Sequence, residues 1–258
     1  MLDGRSTSPD QWGPAQIKAI CDRRNGVGAD GLVLLTQTTP GAVRMRYWNS
    51  DGSLGALCGN AALCGGRLAV QLELVPAGEF CLLTDAGVVR VNSSASGDQA
   101  EINLPDFDVP EKFSGVGLER GERWMTLLQV GVPHLVIRVD SIEAVDVSRR
   151  GRALRFDPTM GPAGANVNFA SPGASPGDPW LIRTYERGVE AETLACGTGT
   201  VAAAASLVAQ GESGFPVRFR SRGGPELTVR GTLDASRATG VWLGGQGRLV
   251  YRGVWESR

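Results

Sequence analysis

With a single histidine, His134, and no Cys-x-x-Cys pair, the sequence lacks the donors from which metal centres are usually built, so no metal is expected. Lysine is almost as scarce: Lys18 and Lys112 are the only two among 26 basic residues. Pyridoxal phosphate chemistry needs a lysine for its Schiff base. Neither lysine stands in a Gly/Ser-rich phosphate-binding context, so chemistry without a cofactor is expected. A formal net charge of −1 gives no electrostatic footprint for nucleic acid or a membrane surface. No apolar run approaches the length that spans a bilayer, and the polar, turn-rich residues 1–12 do not read as a signal peptide. Five cysteines, at 21, 58, 64, 81 and 196, are an odd number. They read as free thiols in a reducing cytoplasm rather than a disulfide framework.

Two of those cysteines stand out by context. Cys58 opens Cys58-Gly59-Asn60 and Cys196 opens Cys196-Gly197-Thr198, each ahead of an Ala-rich helical stretch. The positive end of a helix dipole favours the thiolate, the reactive form of cysteine. The backbone N–H groups of Gly59, Asn60, Gly197 and Thr198 are candidates for holding a carboxylate, because helix N-termini are anion sites. Ordinary capping by Asn60 and Thr198 would use the same donors. Cys21, Cys64 and Cys81 read as structural.

The two cysteines also mark a duplication. Asn49 and Arg187 each stand nine residues ahead of their cysteine, at the ends of apolar segments starting at Met45 and Ile182. Gly28-Ala29-Asp30 is echoed by Gly164-Ala165-Asn166, 28 and 30 residues ahead when counted from Asp30 and Asn166. Landmarks in one order at matching spacing imply two copies of one unit. Asp3 matches Asp140 on the same arithmetic, and the first unit then has no counterpart to residues 127–137. About a dozen residues of a first strand and loop are therefore expected to be missing, as a misplaced start codon would cause.

Apolar periodicity and turn residues predict helices at 10–24, 59–73, 141–150 and 198–209. Strands are expected at 32–35, 43–48, 81–83, 88–92, 100–104, 124–130, 135–139, 165–170, 180–185, 217–221, 227–231, 240–243 and 248–251. The Pro/Gly-rich segment 105–121 reads as a crossover. The fold class is α/β of the α+β type: two pseudo-symmetric units, each a curled, mostly antiparallel sheet around a central helix. The first unit is expected to comprise residues 1–105 plus 247–258, and the second 106–246.

Residues 58–64 (Cys-Gly-Asn-Ala-Ala-Leu-Cys), 184–188 (Thr-Tyr-Glu-Arg-Gly) and 195–199 (Ala-Cys-Gly-Thr-Gly) resemble the diaminopimelate epimerase family, as do 22–31 and 49–53. The resemblance runs in order along essentially the whole chain. It implies a cofactor-independent amino-acid isomerase, with its active site in the cleft between the units. Two groups suffice to invert an α-carbon, one taking a proton from one face and the other delivering one to the opposite face. Cys58 and Cys196 are the expected thiol pair, and reductant should be required to keep them active.

The resemblance also implies that Arg187 binds the substrate's distal carboxylate, a task suited to a planar guanidinium. Glu186 would contact an amino group and tune a thiol. Asn49 and Asn166 would bind the substrate's distal end, and His134 would sit beside a catalytic thiol. A cytoplasmic homodimer, with Tyr251 at its interface, follows from the same source. The chain departs from the family pattern at Val132, which replaces the Asn of Gly-Asn-Pro-His, and at Ala61 and Leu63, which replace Gly and Arg. The expected reaction is epimerisation of LL-2,6-diaminopimelate to the meso form, in lysine and peptidoglycan precursor synthesis. The rival readings are a racemase of another amino acid and an impaired, truncated homologue that only binds.

Overall fold

The structure is a computed structural model that describes residues 1–55, 58–96 and 98–256. The chain forms two compact units, one from Met1–Asn103 with Gly244–Arg258 and the other from Leu104–Leu243.

In the first unit the strand Ala42–Asn49 is central. It runs antiparallel to Gly31–Thr39 on one side. On its other side it is antiparallel to Leu54–Gly55 and parallel to Gly78–Thr84. Gly78–Thr84 continues through hairpins to Gly87–Ser93 and Gln99–Asn103. Val43 and Met45, then Phe80 and Leu82, then Val89 and Val91 are buried, the every-second-residue pattern of a sheet with one packed face. Leu32 to Leu35 break that alternation, being buried on both faces. Helix α1 (Pro14–Cys21) covers one side, packing Ile17, Ile20 and Cys21 against Leu32, Leu34 and Trp48. Helix α2 (Gly59–Gln71) packs against the sheet. A Cβ at Gly66 would fall 2.5 Å from Val91 Cγ1, so glycine there sets how closely helix and sheet approach.

The second unit repeats these relations. Trp180–Glu186 is antiparallel to Asn166–Ser171 and to Ala191–Thr193, and parallel to Val217–Ser221, which is antiparallel to Glu226–Leu233. Asn166–Ser171 also has a parallel neighbour, Val132–Val139, as Gly31–Thr39 has in Leu2–Asp3. Helix α3 (Val147–Arg155) buries Val147 and Leu154 in a cluster with Phe169 and Tyr185. Helix α4 (Gly197–Ala209) is buried continuously from Gly199 to Leu207. Its polar members are satisfied locally: Thr200 Oγ1 donates to Cys196 O and Ser206 Oγ to Ala202 O, both at 2.9 Å.

The mixed α/β, mostly antiparallel architecture of two similar halves matches the expectation, with differences in detail. The helix expected over 141–150 begins at Val147, because Asp146 is its N-cap and accepts from the Arg149 amide at 3.0 Å. The first helix starts at Pro14, a residue suited to the first helical position. Segment 105–121 is not wholly irregular: Phe107–Asp108 and Glu111–Lys112 are short strands. Gly131 alone, at φ 70°, turns the chain between Glu122–Val130 and Val132–Val139, so Val132 and Pro133 lie in a strand rather than a loop. No strand forms at 248–251, where Leu249, Val250 and Tyr251 are exposed without the buried alternation a strand needs.

Candidate active site

Cys58 is the N-cap of α2 and Cys196 the N-cap of α4. Their backbones are nearly superimposable in torsion, φ −132°, ψ 123° and φ −127°, ψ 111°. Each carbonyl accepts the first helical bond at 2.9 Å, from Ala62 and Thr200 respectively. Neither helix has a side-chain cap hydrogen bond. Cysteine thus stands at N-cap in place of the serine, threonine, aspartate or asparagine that usually bonds to the first-turn amides. Those amides belong to Gly59 and Asn60 in one unit and to Gly197 and Thr198 in the other. Capping by Asn60 and Thr198 does not occur, since both lie inside their helices.

In the first unit Asn49 ends the strand Ala42–Asn49 and is exposed. Its Nδ2 donates to Ser53 Oγ at 2.9 Å, and Ser53 Oγ donates to Asp51 Oδ1 at 2.6 Å. Its Oδ1 accepts from the Tyr47 hydroxyl at 3.1 Å. Burial, with the Cys58 charge second, pushes the Tyr47 phenol up to about 12. Sequence reasoning passed over Tyr47. Its signal is position, two residues before Asn49 and therefore on the same face of the strand.

In the second unit Glu186 ends the strand Trp180–Glu186, with Arg187 following; both are half-buried. The Arg187 amide donates to Asn166 Oδ1 at 2.8 Å, so any further contact Asn166 makes as a donor runs through Nδ2. Asn166 pairs in parallel register with His134, and both are buried. Burial lowers the His134 pKa to about 4, with the Val130 backbone opposing the shift and the positive charge of Arg187 adding to it. The imidazole is therefore neutral at physiological pH. Asn168 lies 3.3 Å from it, Nδ2 to Nδ1, while Nδ2 also donates to Leu135 O at 3.2 Å and Oδ1 accepts from Thr184 Oγ1 at 2.9 Å. Asn168 is the second residue missed by sequence reasoning, a polar side chain in the fully buried run 166–171. A Cβ on Gly199 would strike Asn168 Oδ1 and lie 3.2 Å from Cys196 Sγ, so glycine there lets the first turn of α4 approach Asn168. Cys196 Sγ lies 3.8 Å from Thr198 Oγ1.

The structure thus groups Cys58, Asn49 and the α2 amides in one unit, and Cys196, His134, Asn166, Arg187 and the α4 amides in the other. Tyr251 is 62% exposed and belongs to neither group. Among the described residues no cluster of three or more His, Cys, Asp or Glu could hold a metal ion. No helix of the described residues is long and apolar enough to cross a membrane.

Solved structures share the mixed α/β fold of two similar halves. A phenazine biosynthesis protein of the PhzF family from Bacillus anthracis is similar with a TM-score of 0.71 at 13% identity, over 95% of this chain and 88% of that one. A probable proline racemase from Agrobacterium radiobacter K84, with bound carbonate, gives 0.63 at 19% identity, over 90% and 78%. The family model described as diaminopimelate epimerase matches residues 2–104 and 126–236. A diaminopimelate epimerase from Gemmatimonas aurantiaca is 42% identical over 98% of this chain and 93% of its own length. One from Aquifex aeolicus is 35% identical over 92% and 84%. The chain belongs to the diaminopimelate epimerase family, whose members are isomerases.

Proposed function

We propose that this protein interconverts LL- and meso-2,6-diaminopimelate by a two-thiol mechanism, with Cys58 and Cys196 as the acid–base pair. The observation that carries this reading is the paired N-cap cysteines, each at the head of a helix without a side-chain cap hydrogen bond. One cysteine, as thiolate, takes the α-proton and becomes a thiol. The other, as thiol, gives its proton to the opposite face and becomes a thiolate. No net proton is gained or lost, and the reverse reaction exchanges the roles. The amides of Gly59, Asn60, Gly197 and Thr198 bind the α-carboxylate and stabilise negative charge as it builds there.

Arg187 binds the distal carboxylate, with Asn49 and Asn166 Nδ2 as further donors and Glu186 at the amino group. A substrate without a second carboxylate leaves Arg187 unpaired, which favours diaminopimelate over a simple amino acid. His134, neutral and buried, orients the Cys196 side of the site through Asn168. The five free cysteines agree with a reducing cytoplasm, and a homodimer contact is assigned to the exposed Tyr251. Sedimentation of wild type and Tyr251→Ala tests that contact: a monomeric wild type refutes it.

The direct test of the reaction is deuterium incorporation at the α-carbon in heavy water with reductant, for wild type, Cys58→Ala and Cys196→Ala. Epimerisation by wild type and its loss in both variants is the expected result. Unimpaired epimerisation by either variant refutes the thiol pair, and a folded wild type that exchanges another amino acid but not diaminopimelate refutes the substrate.

A further inference from the structure

The turn that carries Arg187 contains a residue in a conformation its type rarely adopts. Glu190 has φ 57°, in the left-handed region that favours glycine, and Glu73 is the only other non-glycine there among the described residues. The turn joins Glu186 to Ala191, which are paired across their two strands, and the Glu190 amide closes it on Glu186 O at 2.8 Å. Strain of this kind persists where the surroundings over-determine it. Here Glu190 O accepts from the Tyr185 hydroxyl at 2.7 Å, and its Oε1 accepts from the Gly188 amide at 3.0 Å and from Arg155 Nη2 at 3.1 Å. Glycine at 190 would relieve the backbone but lose both Oε1 bonds, so the sequence keeps a strained residue for the contacts of its side chain.

Arg155 reaches this turn from another element. It is the last residue of α3, and its guanidinium lies 4.7 Å from the centre of the Phe156 ring. Gly164, at φ 58°, clears its path: a Cβ there would strike Arg155 Nη1 and come 2.5 Å from the Arg155 carbonyl oxygen. Gly164 stands two residues before Asn166, whose Oδ1 accepts from the Arg187 amide at 2.8 Å. Arg155 therefore packs against the segment that leads to Asn166 and bonds the turn that holds Arg187. The bond to Glu190 is the one hydrogen bond its guanidinium makes among the described residues. Arg155 Nε and Glu190 Oε2 are buried without partners, so the clamp hangs on that single contact.

We infer that Arg155 and Glu190 are positioning residues for Arg187, clamping the turn so that its guanidinium is presented beside Asn166. This inference deepens the proposed function and rests on its reading of Arg187 as the ligand of the distal carboxylate. Arginine is long and rich in rotamers, and a binding site that uses it gains affinity when the backbone beneath is fixed beforehand. The backbone of Arg187 is fixed on both sides: its own amide is tied to Asn166, and the far end of its turn is tied through Glu190 to α3. Loss of the clamp leaves the thiols and their helices in place and removes only this preorganisation, so it falls on substrate binding rather than on proton transfer.

The test combines steady-state kinetics on diaminopimelate with hydrogen exchange of the peptide spanning Arg187–Glu190, in the full-length protein. The variants are Arg155→Met, Arg155→Lys and Glu190→Gly. Arg155→Met and Glu190→Gly are expected to raise KM about tenfold with kcat little changed, and to speed exchange of the Arg187, Gly188 and Glu190 amides. Arg155→Lys should restore most of both effects, because one hydrogen bond from a cation is all the clamp uses. An unchanged KM in either folded variant overturns the inference, even where exchange is faster, since that result describes a structural contact alone. A fall in kcat at constant KM overturns it as well. Should Arg155→Met fail to fold, Glu190→Gly decides. A folded wild type that does not turn over diaminopimelate refutes the substrate reading instead; unaltered exchange in the variants would then overturn the clamp separately.

Discussion

His134 makes the stability of the second unit depend on pH in a window where little else titrates. Its folded pKa is about 4, against an ordinary value of 6.5, because the ring is fully buried and faces the charge of Arg187. The Val130 backbone opposes the shift without cancelling it. Asn168 Oδ1 is held by Thr184, so Nδ2, a donor, faces His134 Nδ1, and a proton there would set donor against donor. Between the two pKa values the unfolded chain binds the extra proton and the folded chain does not. Stability is therefore full above about pH 6.5 and falls as pH drops towards 4.

The slope approaches roughly 1.4 kcal/mol per pH unit, which integrates to about 2 kcal/mol between pH 7 and pH 5 and about 3 kcal/mol in all. Carboxylates lowered by arginine hydrogen bonds, such as Asp140 by Arg123 and Glu119 by Arg149, lose their contributions only as pH falls below the ordinary carboxylate range. Urea denaturation at pH 7, 6 and 5 reads the effect, with His134→Gln as the comparison. The variant curve should be flatter by about 2 kcal/mol over that span. Parallel curves for the two proteins would refute the buried neutral imidazole.

Three further outcomes are expected. Gly199→Ala drives a Cβ into Asn168 Oδ1 and against Cys196 Sγ, and should cost about 1–3 kcal/mol in thermal or urea denaturation together with a loss of turnover; full activity would show that α4 can shift without cost. Glu122→Gln removes the charge that the buried Arg150 meets through two bonds of 2.8 Å, leaving it Gly117 O and Glu119, and should lower stability by about 1–3 kcal/mol while leaving the KM of folded enzyme unchanged. Arg187→Lys exchanges a planar fork for a point charge and should raise KM for diaminopimelate about tenfold or more with a smaller effect on kcat; an unchanged KM would remove Arg187 from the distal carboxylate.

What could be read in the sequence followed from spacing. The nine-residue interval from Asn49 to Cys58 and from Arg187 to Cys196 runs from the last residue of a central strand, or the one just after it, to the N-cap of the following helix, and both helices run 13 residues. Periodicity therefore located α2 and α4 well, since each carries a long apolar run with an abrupt start. It failed where a single residue decides the geometry. Asp146 delays α3 by its cap, and Gly131 replaces an expected loop with a one-residue turn. Residues 248–251 have strand-like composition, but composition cannot report whether a buried face awaits them. Tyr47 and Asn168 were overlooked because their importance comes from neighbours on other strands, Gly31 and Gly55 for the one, His134 and Thr184 for the other.

The duplicated frame and its divergent surroundings carry different parts of the chemistry. Strand relations, helix length and N-cap torsions are shared by the two units, so each thiol is presented to its helix dipole in the same way. Nothing in that common frame distinguishes one cysteine from the other. The differences lie around them: an exposed strand end with a Tyr–Asn–Ser–Asp relay in the unit of Cys58, and a buried neutral His–Asn pair in the unit of Cys196. A reaction that runs both ways needs each thiol competent as acid and as base, but the two substrates present different stereochemistry at the carbon attacked. Changing these surroundings rather than the thiols should therefore affect the two directions unequally. Tyr47→Phe and Asn168→Ala, assayed from LL- and from meso-diaminopimelate, are expected to shift the pH–kcat profiles of opposite directions, while the ratio of kcat/KM values remains fixed by the equilibrium constant. Equal shifts in both directions for both variants would mean that the surroundings serve stability alone and that the shared helix frame accounts for the thiols' reactivity.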